Sequence, residues 1–384
     1  MKKDYKITIV GAGITGLTLA ALLARSRHAG ALQITVIDAG DRPVFSIDED
    51  VSLRVSAIAN GSAELLDSVG AWSSISAART SPYQAMRVWD ENDNPESGAA
   101  LKFDAAEFAI PQLGFITENV LIQHALLEVL DDTSVDLQFN SRLKALPEAD
   151  LVVGADGARS IVRELAGIKT NQWPYEQTAV VTHLETEIGH DGRALQRFLK
   201  DGPLGMLPLR DGRISVVWSA TPAVAKQALA ATDKELGQML TTASDAVLGN
   251  MRVAGPKGAF PLCAQHAENY VLPGVALVGD AAHAIHPLAG QGANLGLQDT
   301  AELADVINTA LDSGLHPGDR PVLRRYERAR KGANLTMLHF MTGLNRLFTT
   351  DSALLVEIRS AGMRAFNRSG PIRERAVKVA LGVS

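Results

Sequence analysis

The sequence predicts an α/β chain with an α+β second domain, and three observations carry that prediction. A β-branched run, Ile7–Val10, leads straight into a glycine turn and then an apolar helix, the order of a parallel βαβ unit. Two further buried-strand patterns, Leu151–Gly154 and Val275–Gly279, also end on glycine beside an acid. Between these segments lie short stretches punctuated by turn residues, which suit an antiparallel sheet.

The first unit, Lys6–Asp38, organises the rest. Gly11-Ala12-Gly13-Ile14-Thr15-Gly16 forms a G-x-G-x-x-G turn, Leu17–Arg25 continues as a helix, and Gln33–Ile37 is a second strand ending on Asp38. In such a Rossmann-like turn Gly11 permits the tight bend, Gly13 lets a pyrophosphate approach the backbone, and Gly16 lets helix and strand pack closely. The phosphates sit at the helix N-terminus, where free N–H groups and the dipole favour anions. Asp38 follows the last glycine by about 20 residues, where a carboxylate takes the ribose hydroxyls. The pattern predicts dinucleotide binding and leaves NAD and FAD open.

A chain of 384 residues buries a large core in one to three domains. Its net charge of −6 argues against a general nucleic-acid binder, which needs a basic face. The single cysteine, Cys263, allows no disulfide within the chain, suits a reducing compartment, and reads as a buried bystander. No apolar run of about 18 residues is present to span a membrane, and the N-terminus enters the first strand without the apolar core of a signal peptide. These features predict a cytoplasmic protein that binds no nucleic acid.

Taken in order, residues 1–80 form the first part of the dinucleotide domain. Arg54 stands there among apolar and small residues, and Ser62–Val69 is helical. Residues 81–112 change character: Met86–Asp90 and Ala100–Phe103 read as strands around the turn cluster Glu91–Pro95, so a second domain begins. Residues 113–173 return to α/β, with Leu121, Ile122, Ala125, Leu126 and Val129 at helical spacing, a strand Val135–Phe139, and Leu151–Gly157 as a buried strand with a glycine–acid turn. Residues 174–260 hold the strands Gln177–Leu184, Leu195–Phe198, Gly205–Leu209 and Ile214–Trp218, a hairpin turn at Asp211-Gly212, and a helix over Lys226–Leu248. Residues 261–325 contain the third buried strand and a helix from Gly296 to Leu311, and residues 326–384 are C-terminal helices.

Three strand ends bearing glycine and an acid suggest one long ligand, since ligands in open α/β sheets sit at the carboxyl ends of strands. The motifs carry more. Asp156-Gly157-Ala158-Arg159-Ser160-Ile161-Val162-Arg163 matches D-G-x-x-S-x-x-R, and Gly279-Asp280-Ala281-Ala282-His283 is followed by Pro287 and Gly290-Gln291-Gly292-Ala293-Asn294. With the first glycine turn in place, the chain resembles the FAD-dependent aromatic hydroxylases, the para-hydroxybenzoate hydroxylase group. Over nearly all its length it is most similar to the 2-polyprenyl-6-methoxyphenol hydroxylases of ubiquinone biosynthesis. That likeness includes Arg54 before Val55-Ser56-Ala57-Ile58, the stretch Leu113–Asn119, Gly202-Pro203-Leu204 and Asn345-Arg346-Leu347-Phe348.

The resemblance implies a Rossmann-like FAD-binding domain with an inserted antiparallel-sheet substrate domain and a C-terminal helical region. It implies that Gly11, Gly13, Gly16, Asp38, Gly279 and Gly290 contribute to FAD binding, that Asp280 holds the ribityl hydroxyls, and that Asp156 serves both FAD and NAD(P)H. Pro287–Asn294 would wrap the isoalloxazine, with backbone N–H groups of Gly292, Ala293 and Asn294 facing the N1/C2=O edge, where reduction develops negative charge. Arg54 and Pro287 would be flavin-proximal, and Asn119 and Gln123 match flavin contacts more loosely. There is no second G-x-G-x-x-G, so NADH or NADPH would visit transiently, reduce FAD and leave. Reduced flavin would take up O2 as a C4a-hydroperoxide and hydroxylate a prenylated phenol or quinol. The flavin carries the chemistry, so no catalytic side chain is assigned. His183 and Trp218, on the second-domain sheet, are candidates to line the substrate site.

His283 and His286, at i and i+3, fall short of a metal site because no third ligand is fixed nearby. Arg359, Arg364, Arg368, Arg373, Arg375 and Lys378 against Glu374 make a basic C-terminal end. That end suits a solvated helix face, or peripheral contact with the inner face of a membrane or with other ubiquinone-biosynthesis proteins. Two other readings stay open: a same-fold flavoprotein that reduces a prenyl double bond or epoxidises an alkene, and an inactive flavin-binding subunit of a biosynthetic complex.

Overall fold

The computed structural model describes residues 4–286, 288–349, 353–370 and 373–374. Its first sheet has six strands in the order Val271–Leu272, Val275–Leu277, Leu151–Gly154, Tyr5–Val10, Leu32–Ile37, Asp136–Gln138. Neighbours are parallel except in the short hairpin at the first edge. Ile7, Ile9, Leu151, Val153 and Leu277 are fully buried, as suits strands covered on both faces. The helix Ile14–Ala24 is apolar nearly all round and packs against the sheet and against the helices Asn119–Asp131 and Gln291–Asp312.

Register brings three loops together. Val10 pairs with Gly154, and Gly154 with Leu277. Hydrogen bonds from Ala155 N–H to Val10 O (2.8 Å) and from Val278 N–H to Gly154 O (3.0 Å) carry the alignment past the last paired residues. The strand ends that lead to Gly11, Asp156 and Asp280 therefore lie side by side at one edge.

The second sheet has nine strands. Its path runs His283–Ala284, Gly258–Ala267, Thr170–Thr186, Ile214–Ala220, Gly202–Pro208, Arg193–Leu199, Ala85–Asp90, Leu101–Asp104, with Met251–Val253 beside Thr170–Thr186. It is antiparallel save for one parallel pair, Ala85–Asp90 with Arg193–Leu199. The expected boundaries at 174 and 261 fall inside two of these strands. The long strand shifts register between Pro174 and Thr178, where proline removes a ladder donor. A separate three-stranded sheet, Val55–Ala59, Gly114–Glu118 and Ser81–Tyr83, had no signal in the sequence. The helix expected over Lys226–Leu248 is two helices, Pro222–Ala230 and Asp233–Ala243, the second restarted by a Thr232/Glu235 capping box.

The C-terminal helices are Arg320–Thr349 and Ala353–Asn367. The basic residues described from Arg359 onward do not form one free face. Arg359 is buried, pairs with Asp90 at 2.5 Å and lies over the Phe348 ring. Arg373 pairs with Glu107 at 2.6 Å and lies over Phe103 and Phe108. Arg364 and Arg368 are exposed, whereas Arg375 and Lys378 lie outside the described residues. Cys263 is exposed, not buried. No described helix is long and apolar enough to cross a membrane.

Candidate active site

The glycines of the first turn answer to different steric demands. Gly11 has φ +108°, and a Cβ there would stand 2.4 Å from the Ala155 carbonyl oxygen. A Cβ on Gly16 would stand 1.9 Å from the Gly11 carbonyl oxygen. A Cβ on Gly13 would meet nothing within 4 Å. The space beside Gly13, at the start of the helix Ile14–Ala24, leaves the backbone open to an anionic group. Asp38 accepts from Ala12 N–H at 2.6 Å and Gly40 N–H at 2.7 Å. Gln123 Nε2 donates to Ala12 O at 2.9 Å. The turn is thus braced by Asp38 through its amide and by Gln123 through its carbonyl.

In the second loop, Asp156 Oδ2 accepts from Ile161 N–H at 2.7 Å and Val162 N–H at 3.1 Å, at the start of the helix Ile161–Leu165. Asp156 Oδ1 is buried without a partner, an acceptor that a ligand donor would satisfy. Gly157 has φ +79° and opens onto free space. Buried Arg163 donates Nη1 to Ala281 O and Nη2 to Ala158 O, both at 2.8 Å, stitching the second loop to the third.

In the third loop, Gly279 has φ +57°. The Asp280 side chain is open to solvent, yet the protein crowds round it. That desolvation raises its carboxyl above the ordinary range, opposed by His283 and by Arg54. Arg54 is therefore within electrostatic reach of Asp280, with its own side chain exposed. Gly290, at φ +63°, packs on Ala57 so closely that a Cβ would stand 2.8 Å from the Ala57 Cβ. The following helix begins at Gln291, earlier than the expected Gly296. Gly292 and Ala293 therefore lie in its first turn, where N–H groups have no partner within the helix, whereas Asn294, four residues past the cap residue Gly290, is the first position whose N–H the helix takes up. A Cβ on Gly292 would also meet nothing within 4 Å. The Asn294 side chain is buried: Oδ1 accepts from Ala59 N–H and Nδ2 donates to Ala57 O, both at 2.9 Å. Asn119 Oδ1 accepts from Ser56 Oγ at 2.7 Å. Pro287 lies outside the described residues.

His183 and Trp218 do not share a face of the sheet. Trp218 pairs with Val180 and His183 with Ser215, and strand alternation puts them on opposite sides. Trp218 packs into the core under the helices Pro222–Ala230 and Asp233–Ala243. His183 is buried with Nε2 3.1 Å from Ser52 O, in the segment that leads to Arg54. His286 is also buried, with Nε2 3.0 Å from Gln177 Oε1, and burial pushes it down to about 4. Among the described residues no group of three or more His, Cys, Asp or Glu side chains could hold a metal. Thr15 adds a contact that the motif reading does not assign. Its Oγ1 would stand 3.1 Å from a Cβ on Gly279 and 2.8 Å from one on Gly296, which locks the first turn against the third loop and the helix Gln291–Asp312. Its place inside the glycine motif was the available signal.

Three aligned loops, open beside Gly13, Gly157 and Gly292 and bearing Asp38, Asp156 and Asp280, fit one extended dinucleotide. They form a dinucleotide cradle. Residues 4–340 match the family described as an FAD binding domain. The chain is 36% identical to the 3-demethoxyubiquinol 3-hydroxylase of Escherichia coli (strain K12), covering 98% of each chain. It is also 36% identical to the ubiquinone hydroxylase of Rhodospirillum rubrum, covering 99% of this chain and 90% of that one. The solved p-nitrophenol 4-monooxygenase of Pseudomonas putida superposes with a TM-score of 0.78 over 99% of both chains at 18% identity, a likeness of fold. The chain belongs to the FAD-dependent monooxygenases, in the family of the ubiquinone-biosynthesis hydroxylases.

Proposed function

We propose that the chain hydroxylates the aromatic ring of a polyprenylated phenol or quinol in ubiquinone biosynthesis, using O2 and electrons from NADH or NADPH. The observation that carries the proposal is a three-loop cradle at one sheet edge, in a chain similar to ubiquinone-ring hydroxylases over its whole length. Bound FAD supplies the hydride-accepting and oxygen-activating chemistry; the protein binds, orients and excludes water. Gly13 and the start of the helix Ile14–Ala24 receive the pyrophosphate, Asp38 the ribose, and Asp280 the ribityl hydroxyls. Asp156 Oδ1 accepts from FAD or from the visiting nicotinamide cofactor. First-turn N–H groups of Gly292 and Ala293 stabilise charge at the ring's N1/C2=O edge, and Arg54 adds a cation beside it. Asn119, Gln123 and the Asn294 side chain act as braces, and Pro287 is placed against the ring.

On the substrate side, His183 borders the site and Trp218 does not. A cavity of about 230 Å³ offers an apolar tail one wall of Val51, Val55, Ile116 and Leu209, opposite the charged Arg79, Glu118, Arg210 and Asp211. The apolar side chains belong to the cluster around Ala57, on which Gly290 packs. Exposed Arg364 and Arg368 support peripheral contact with an anionic membrane surface or another protein of the pathway.

The test loads the protein with FAD and follows NADH and NADPH oxidation with methoxyphenols of increasing prenyl length, with mass spectrometry of the products. The expected result is substrate-stimulated oxidation, one oxygen added to the ring, and KM falling as the chain lengthens. A reduced or epoxidised product with an untouched ring would replace hydroxylation. Bound FAD with no stimulation by any phenol would mark a non-catalytic subunit.

A further inference from the structure

Beneath the Gly279–Asp280 turn lies a carboxylate outside the three motifs. Asp299, in the helix Gln291–Asp312, is 0% exposed. Its Oδ2 accepts from Gly279 N–H at 3.1 Å and faces His283 Nε2 at 2.5 Å. Its Oδ1 accepts from Arg330 Nε at 2.8 Å and Asn334 Nδ2 at 3.0 Å. These partners fill the acceptor sites of a carboxylate. Two of them, Gly279 and His283, flank Asp280. The other two belong to the long C-terminal helix Arg320–Thr349. Burial alone would push the Asp299 carboxyl up, but His283 and Arg330 overcome it and hold the group below the ordinary carboxylate range.

The arrangement controls position more than stability. Replacing a buried charge cluster by packed apolar groups is often neutral or stabilising, so the cluster is weak evidence of added stability. What it fixes is the backbone on either side of Asp280. Gly279 is held by its N–H to Asp299 and by Thr15 against its Cα; Ala281 is held by its carbonyl to Arg163; the Asp280 carbonyl itself accepts from Gln265 Nε2 at 3.4 Å. The Asp280 carboxylate makes no such hydrogen bond among the described residues, and it is the group left to face a ligand.

We infer that Asp299 is a positioning residue for the cofactor loop. It anchors the Gly279 amide and His283 to the C-terminal helix and so aims Asp280 at the cofactor without touching it. The inference rests on the assignment of Asp280 to the ribityl hydroxyls. It also gives the helix Arg320–Thr349 a share in FAD affinity, through Arg330 and Asn334.

The test is a double-mutant cycle on the apoprotein of the full chain, titrated with FAD by flavin fluorescence, with Tm recorded for each variant. Asp280→Ala should weaken FAD binding, and Asp299→Asn should weaken it about tenfold, the equivalent of a lost charge-assisted hydrogen bond. The double variant should bind no more weakly than Asp280→Ala, because both changes act through one contact. Wild-type FAD affinity in Asp299→Asn would overturn the inference, as would losses that multiply in the double variant. Wild-type affinity in Asp280→Ala would instead remove the Asp280 assignment. If Asp299→Asn does not fold, Asn334→Ala removes one bond to Oδ1 and carries the same cycle, with a loss of about threefold that disappears in the Asp280→Ala background. A fall in Tm with FAD affinity intact would make the cluster structural only.

Discussion

At the edge of the parallel sheet, position is set by side chains that are missing. Gly11 and Gly16 approach backbone so closely that no Cβ fits, and Gly279 is pressed by Thr15. In the antiparallel sheet and the helices against it, position is set by buried polar side chains that need one another. Arg359 pairs with Asp90, Arg197 donates to Ala243 O at 3.0 Å and Glu91 O at 2.9 Å, and His286 meets Gln177. The two constructions fail differently. The backbone contacts of Gly11 and Gly16 tolerate no added atom and contain no group that titrates. A scaffold made of paired polar groups tolerates shape changes better but depends on charge state.

The largest effects should come from adding one methyl group to the cradle. Gly11→Ala and Gly16→Ala each place a Cβ inside contact distance of a backbone carbonyl, and at Gly11 also force a left-handed φ. We expect a cost above about 3 kcal/mol and loss of bound flavin, measured as Tm and as the ratio of visible to protein absorbance. Gly13→Ala is the control, since its Cβ enters open space at φ −75°. Its apoprotein should keep the wild-type Tm while FAD affinity falls roughly tenfold, because the methyl group occupies the pyrophosphate's approach. Equal Tm losses at Gly11, Gly13 and Gly16 would erase the distinction.

On the other side of the comparison, Arg359→Met should destabilise by roughly 3–5 kcal/mol, the usual cost of stranding one member of a buried pair. Asp90 would be left at 2% exposure without its cation. A Tm near wild type would return Arg359 to the solvated basic face that the composition suggested.

Acid should also separate the two regions. His266 and His286 are buried, and desolvation pushes both down from 6.5 to about 4. The folded chain therefore keeps these rings neutral where the unfolded chain protonates them. Their contribution is complete above pH 6.5, declines as pH falls from 6.5 towards 4, and changes no further below that. Each ring adds up to about 1.4 kcal/mol of lost stability per pH unit in that window. Urea midpoints between pH 7 and 4.5 should show this slope, and His286→Gln should remove about one proton from it. An unchanged slope would mean that His286 is not a buried neutral ring.

How much of this was legible in the sequence follows the same division. The three loops were readable because backbone geometry dictates residue type locally: Gly11, Gly157 and Gly279 all sit at positive φ inside contiguous motifs. Side-chain scaffolds are not local. Arg359 looked like one of a run of surface bases because its partner Asp90 is far away in the chain, and charge composition does not reveal pairing. His183 and Trp218 looked equivalent because strand parity defines two faces without saying which one the helices cover. The sheet Val55–Ala59, Gly114–Glu118, Ser81–Tyr83 pairs short segments across a long interval, and none of them is distinctive alone. The restart at Thr232 is written as T-x-x-E, but the apolar helical pattern continues past it and masks the break.

The smallest expected effect lies where the two constructions meet. Gln123 is a side chain, yet what it holds is the carbonyl of Ala12, inside the glycine turn. Ala12 N–H is already held by Asp38. Removing the amide in Gln123→Ala frees one peptide oxygen at the partly solvated rim of the turn, so the backbone need not move far. We expect a cost of about 1 kcal/mol, near fivefold in FAD affinity, with Tm almost unchanged. If the turn is positioned by sterics alone, the variant will bind FAD as the wild type does, and Gln123 is a bystander to the cradle. A loss as large as that of Gly13→Ala would mean that the first loop also depends on a side-chain brace, and the contrast between the two sheets would then hold only for Gly11 and Gly16.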